Sequence, residues 1–350
     1  MSKKITTSDI SNRLGISRNT VSKALNNHHG ITEETKRKVI EQAVAMGYKK
    51  VKLPSLDDPP GTVNLAKSIA YVTKSHLHVS GFWMNVMRGV EQIISSSGYE
   101  MKLSFIKEED IHSLGLPHIL GNGIEGFIVA GSITKLYTEK LIDLPLPKVF
   151  ININPDISLS ELNADVVFME NEDSMFRITR HLIQTGHSDI AFIGDISSCR
   201  SFLERWLGFQ RAVLEAKLTI DPNHFIISDS TDNYQSYEDI VHSLSSMERL
   251  PSAFVCVNDR TALHVIKYLN EIGKRVPEDI AVSGFDQINE AEFLGYTLTT
   301  VSNDEYQLGV RSAEQLLQRL KDPDRPYETV RLSTKVFFGE STRSRYSAGL

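Results

Sequence analysis

Apolar positions in the first fifty residues recur at helical spacing. Ile10 and Leu14 follow Thr7-Ser8-Asp9, whose short polar side chains suit a helix N-cap. Gly15 then interrupts, as a left-handed residue between two helices does. Ser17 is placed to cap a second helix, with Ile16, Val21, Ala24 and Leu25 on its inner side. Thr32-Glu33-Glu34-Thr35 opens a third, with Val39, Ile40, Ala43 and Val44 inside and Gly47 at its end. Helix, glycine turn, helix is the helix-turn-helix pattern.

From Lys67 the pattern changes to short apolar runs alternating with helical stretches. The expected strands are SIAYVT (68–73), EMKLSFI (100–106), GFIVA (126–130), KVFINI (148–153), DIAFIG (189–194), HFIIS (224–228), AFVCVN (253–258) and IAVSGF (280–285). Helical segments at 83–96, 172–185, 204–217, 236–248 and 259–272 fall between many of them. Such alternation predicts βαβ units and parallel sheets, whose ligands bind beyond the carboxyl ends of the strands.

Composition narrows the class. The 350 residues are 41% hydrophobic and 23% charged, ordinary for a globular chain. No apolar run approaches the ~18 residues of a membrane span, and MSKKITTSD lacks the apolar core of a secretory signal. Cys199 and Cys256 form no close-spaced pair, which fits reduced thiols. A cytoplasmic location is expected.

Charge is uneven. Residues 1–50 hold ten Lys/Arg against four Asp/Glu, a net of +6, whereas the whole chain is −6. A basic head on an acidic body is the footprint of a nucleic-acid binder with a second function. Arg18 and Asn19 lie in the first turn of the second helix, the end that reaches base edges. Arginine can bridge guanine O6 and N7, and asparagine adenine N6 and N7. Lys23 follows one turn on, and Asn26 completes the polar row. Thr7, Ser17, Thr20 and Ser22 are candidates for phosphate contacts.

Enzyme and metal motifs are missing. GNGIEG (121–126) matches G-x-G-x-x-G, but it precedes a strand, whereas the dinucleotide fingerprint needs strand, glycines, then helix. A turn is the better reading. There is no Walker A loop, G-x-S-x-G elbow or H-E-x-x-H. His28/His29 and His76/His78 have no accompanying thiolate or carboxylate cluster. Neither catalysis, a metal nor a cofactor is expected.

The segment ITTSDISNRLGISRNTVSKALNNHHGITEETKRKVIEQAVAMGYKK resembles the DNA-binding headpiece of the LacI/GalR family of bacterial transcription regulators. HLIQTGHSDIAFIGD, ERWLGFQRAV, FVCVNDRTALHVIKYLNEIGKRVPEDIAVSGFDQI and LTTVSNDEYQLG resemble successive segments of its effector domain, which is similar to periplasmic sugar-binding proteins. The resemblance runs from about residue 3 to 340.

The resemblance implies a small all-α helix-turn-helix domain followed by α/β, two doubly wound parallel-sheet subdomains of the periplasmic-binding-protein type. The headpiece would be 1–50, an atypical hinge or linker 51–66, and the effector-binding and dimerisation domain 67–342. Within the last, the N-subdomain would hold about 67–155 plus 303–322, and the C-subdomain about 156–300 plus 325–342.

It also implies roles. Arg18 and Asn19 would choose operator bases, and Ser22-Lys23 stands where the family has Ser-Arg, losing the planar guanidinium fork. Effector contacts would come from Arg205, Asp286, Asn258, Asn152, Asn303 and the aromatics Phe82 and Trp83, with Asp259 a helix cap. Carboxylate, amide and guanidinium groups at strand ends suit a polyhydroxyl ligand, with aromatics on its C–H faces.

Two departures stand out. Residues 51–66 lack the family's Ala-x-x-Leu hinge core and carry Pro54, Pro59, Pro60, Asp57 and Asp58. Prolines oppose a helix and aspartates repel phosphates, so a plain linker is expected there rather than one inserting Leu56 into DNA. Gly339 replaces a common arginine. The resulting expectation is a non-enzymatic repressor, homodimeric on a pseudo-palindromic operator and released by a sugar or sugar derivative. The alternatives are a purine- or other metabolite-responsive corepressor system and a sugar-binding protein without DNA binding.

Overall fold

A computed structural model describes residues 5–25, 31–46, 48, 67–74, 81–121, 123–219, 221–227 and 236–343. Asn26, the His28/His29 and His76/His78 pairs and the linker 51–66 lie outside the described residues.

Three helices form the N-terminal unit: α1 (Thr7–Leu14), α2 (Arg18–Leu25) and α3 (Glu33–Ala45). The cap of α1 is Thr6, one residue earlier than expected. The Thr6 side chain accepts from the Asp9 N–H, and the Asp9 carboxylate accepts from the Thr6 N–H at 2.8 Å, a reciprocal capping box. Gly15 has φ +67, which a residue without Cβ adopts freely, so the chain reverses between α1 and α2. Ser17 caps α2, its Oγ accepting from the Thr20 N–H at 3.0 Å. Ile10, Val21, Ala24, Leu25, Val39 and Ala43 form the core of this unit, with Ile16 against it.

The α/β part continues with β1 (Lys67–Lys74), α4 (Gly81–Ser96), β2 (Tyr99–Ile106), α5 (Glu108–Ser113), β3 (Gly126–Ala130), α6 (Lys135–Ile142), β4 (Lys148–Ile151) and β5 (Asp165–Met169). Then come α7 (Glu172–Gln184), β6 (Ile190–Ile193), α8 (Arg200–Glu215), β7 (Phe225–Ile226), α9 (Tyr237–Ser245), β8 (Ala253–Cys256), α10 (Asp259–Glu271) and β9 (Ala281–Ser283). The chain closes with β10 (Thr300–Ser302), α11 (Glu305–Lys321), β11 (Thr329–Leu332) and β12 (Lys335–Phe337).

One sheet has the order β11-β5-β4-β3-β1-β2 and a second β7-β6-β8-β9, while β10 and β12 make an antiparallel ribbon. The recorded pairings within both main sheets are parallel. Each sheet carries its own core, one around Phe127, Phe150 and Phe168, the other around Phe192, Trp206 and Phe209. Of GNGIEG, Gly121 ends a 3-10 helix (His118–Gly121) and Gly126 opens β3, so the described glycines precede a strand rather than a helix.

The expected subdomain limits of 156 and 325 do not match the sheets. DVVFM forms β5, pairs with β4, and so belongs to the first sheet. Strand β11 pairs in parallel with β5, Val330 opposite Val167, and joins that sheet from the far end of the chain. The second unit of sheet structure therefore begins after Met169, and the C-terminal segment is divided between the two. Parallel pairing of strands more than 150 residues apart leaves no local mark on either.

Candidate functional site

In the N-terminal unit, the polar residues of α2 stand opposite its core. Arg18, Asn19 and Lys23 are exposed while Val21, Ala24 and Leu25 are buried. The first turn of α2 thus presents a guanidinium and an amide together. Thr20 and Ser22 are half-buried at its sides, and Thr7 is half-buried in the first turn of α1. The Ser17 and Thr20 hydroxyls share a hydrogen bond of 2.8 Å.

In the α/β part, Arg205, Asp286 and Asn303 come together from α8, the end of β9 and the turn after β10. Arg205 is 5% exposed, and each of its three guanidinium nitrogens donates a hydrogen bond. Its Nη1 donates to the Val257 carbonyl at 2.7 Å, its Nη2 to Asp286 Oδ1 at 3.2 Å, and its Nε to Asn171 Oδ1 at 3.0 Å. The guanidinium carbon lies 3.6 Å from the centre of the Phe285 ring, a cation–π contact that suits a flat delocalised cation. Asn303 Nδ2 donates to the same Asp286 oxygen at 2.9 Å.

Burial raises the Asp286 pKa, while Arg205 and Asn303 act to lower it. Asp286 itself has φ +104, rare for a residue with Cβ, and so sits in a strained turn directly after β9. Asn303 Oδ1 is buried and has no hydrogen-bond partner among the described residues. A free buried acceptor is costly unless a donor reaches it.

The other expected contacts are engaged elsewhere. Asn258 is the cap of α10: its Oδ1 accepts from the Thr261 N–H and hydroxyl, both at 2.9 Å. The expectation that Asp259 is the cap is corrected accordingly. Asp259 is wholly buried, accepting from Thr300 Oγ1 at 2.7 Å and from the Ile288 N–H at 3.0 Å. Its pKa is raised to about 7, by burial first and then by the Asp286 charge. Asn152 has φ +66, and its Oδ1 accepts from the N–H groups of Ile153 at 2.9 Å and Ser201 at 3.3 Å. Phe82 and Trp83, both half-buried at the start of α4, pack edge to face with ring centres 5.1 Å apart.

Residues missed in the sequence complete the polar cluster: Asn171, Glu204, Glu305 and Arg331. Glu204 is 6% exposed and accepts both arms of Arg331, at 2.7 and 2.8 Å. Burial raises the Glu305 pKa, with Asp286 adding to the effect and an Asn85 hydrogen bond opposing it. Asn171 follows β5, and a reader who overlooks that strand has no reason to place it at a strand end. Among the described residues no group of three or more His, Cys, Asp or Glu is arranged to hold a metal ion, and no helix is long and apolar enough to cross a membrane.

Residues 179–342 match the model of a periplasmic binding protein-like domain. Over 328 residues the chain is 29% identical to the HTH-type transcriptional repressor PurR of Vibrio atlanticus, covering 91% of this chain and 93% of that one. Its identity to the PurR repressor of Haemophilus influenzae is 27% over 348 residues, 97% and 99% of the two chains. Along nearly its whole length the chain is thus similar to transcription regulators of the LacI/GalR type.

Solved structures share this fold. The transcriptional regulator CelR in complex with cellobiose superposes with a TM-score of 0.68 at 22% identity, over 97% of this chain and all of that one. The lac repressor dimer bound to operator and the anti-inducer ONPF gives 0.66 at 19%, again over 97% and 100%. Both similarities span the helical N-terminal unit and the α/β part of the chain. The PurR relatives are named as transcriptional repressors.

Proposed function

We propose that this protein is a sequence-specific DNA-binding repressor, active as a homodimer inside the cell, whose affinity for a pseudo-palindromic operator is set by a small molecule bound at the Arg205–Asp286–Asn303 cluster. The observation that carries the DNA-binding half is the exposed Arg18, Asn19 and Lys23 row on a short helix whose other side is buried. Both headpieces of a dimer would then place α2 in successive major grooves. Filter binding tests this: retention of duplex DNA should fall steeply with salt, and no retention at low salt by the intact protein defeats the reading.

The free Asn303 Oδ1 beside the Arg205–Asp286 pair supports a ligand rich in hydrogen-bonding groups. A sugar is the first reading, supported by the fold's likeness to the CelR–cellobiose complex. The repeated match to repressors named PurR favours a second, a purine acting as corepressor. A thermal-shift screen separates them, because a ligand that binds only the native state raises the melting temperature. Cellobiose and simple sugars form one arm, hypoxanthine and guanine the other. An effector would control the operator affinity only through a difference in its affinity for two arrangements of the chain.

A further inference from the structure

Arg205 is one member of a longer polar chain. Its partner Asn171 donates through Nδ2 to Glu204 Oε2 at 3.2 Å, and Glu204 holds the Arg331 fork. Glu204 and Arg205 are on α8, which packs in the second core, whereas Arg331 is on β11 of the first sheet. Asn171 lies on the segment leaving the first sheet after β5, and Asn303 on the segment returning between β10 and α11. Thr334, on the third crossing segment, donates to the Glu170 carbonyl at 3.3 Å and shares a 2.7 Å hydrogen bond with Ser174. The cluster thus touches two of the three crossing segments directly and abuts the third through Arg331.

A second tie sits at the start of α8. One guanidinium nitrogen of Arg200 donates to the carbonyls of Pro155 at 2.6 Å and Ile157 at 2.7 Å, and the Arg200 N–H donates to the Ile153 carbonyl at 2.9 Å. Ile153 and Ile157 belong to the first core. The two arginines therefore bridge the subdomains in opposite senses, Arg200 reaching from the second to the first and Arg331 from the first to the second.

We propose that Arg200 and Arg331 are positioning residues that hold the two subdomains against each other across the effector cluster before any effector is bound. Charge-assisted and forked contacts are the strong members of the hydrogen-bond class. Removing Arg331 leaves the buried Glu204 carboxylate without its cation, and the simplest relief is for the subdomains to part and admit water. Removing Arg200 frees two carbonyls that water serves equally well once the gap opens. The inference deepens the reading of the cluster as the effector site and rests on it for its consequence, that effector affinity includes the work already done by these two side chains.

The test needs neither effector nor DNA. Spin labels are placed on the full chain at Lys135→Cys and Arg260→Cys, exposed positions on α6 and α10, while native Cys199 and Cys256 are buried. Pulsed-EPR distances should be narrow in this background. They should shift and broaden in Arg200→Gln/Arg331→Gln, in part in each single variant, and less in Glu204→Gln, which leaves no buried charge behind, than in Arg331→Gln. Arg200→Lys, which keeps a donor, should restore part of the narrow distribution. Distances in the double variant that superimpose on the parent overturn the proposal. If the double variant fails to give a cooperative melt, Arg331→Gln alone, at a side chain 42% exposed, carries the test with the same outcomes. Loss of duplex binding by the parent protein would instead strike the repressor reading and leave the distances standing.

Discussion

Arg205 donates to Asp286 across 3.2 Å, with side-chain exposures of only 6% and 17%. The pair joins α8 to the turn after β9, and the guanidinium is the more deeply shielded partner. Asp286→Ala should therefore strand a buried guanidinium, costing about 3–5 kcal/mol of stability by the usual penalty for breaking a buried pair. Asp286→Asn keeps an acceptor and should cost less. Urea unfolding checks both, and a silent Asp286→Ala would show that Arg205 is sufficiently held by Asn171 and the Val257 carbonyl.

Asp259 should leave a signature in the pH dependence of stability. Its carboxyl pKa is raised from 3.8 to about 7 in the folded chain. Between those values the native state holds a proton that the unfolded chain has released, so this group's contribution falls as pH rises from about 4 to 7. The slope is at most about 1.4 kcal/mol per pH unit for one group, and flat above. Asp259→Asn should remove it. The informative quantity is the difference in melting temperature between parent and variant across pH 5 to 8; a constant difference would refute the shift.

Gly208 is required by packing rather than by its backbone angles. A Cβ there would lie 2.1 Å from the Glu172 carbonyl oxygen, where α8 crosses α7. Gly208→Ala should force the helices apart and cost roughly 1–3 kcal/mol, the range for overpacked cores. Denaturant titration should show a lower midpoint with an unchanged slope.

On the DNA side, Arg18→Ala should relax base preference at one half-site position by ~1–3 kcal/mol. Binding across a library of operator variants distinguishes this from an even loss on every sequence, which would make Arg18 a phosphate contact. Ser17→Ala should act differently, removing the cap hydrogen bond to Thr20 and lowering headpiece stability by about 1 kcal/mol.

Three of the expected effector contacts, Arg205, Asp286 and Asn303, do meet in the structure. Asp286 follows the apolar run IAVSGF, whereas Arg205, inside the helical segment ERWLGFQRAV, was marked by the family resemblance alone. Asn258 shows the limit of that reasoning. A polar residue at a strand end is also a residue at a helix start, and the N–H of Thr261 claims its oxygen. Asn152 is similarly divided, its Oδ1 turned to the start of α8.

The sequence by itself determined the helix-turn-helix unit and the alternation of strand and helix. These are local properties: caps, a left-handed glycine, and periods of two or 3.6 in burial. Only the tertiary structure decided that β5 and β11 belong to one sheet, that Asp259 is buried beside Asp286, and that Glu204 receives Arg331 from 127 residues away. Such pairings depend on which distant segments the two cores bring side by side. A buried carboxylate and its cation look, in the chain, like any two surface charges.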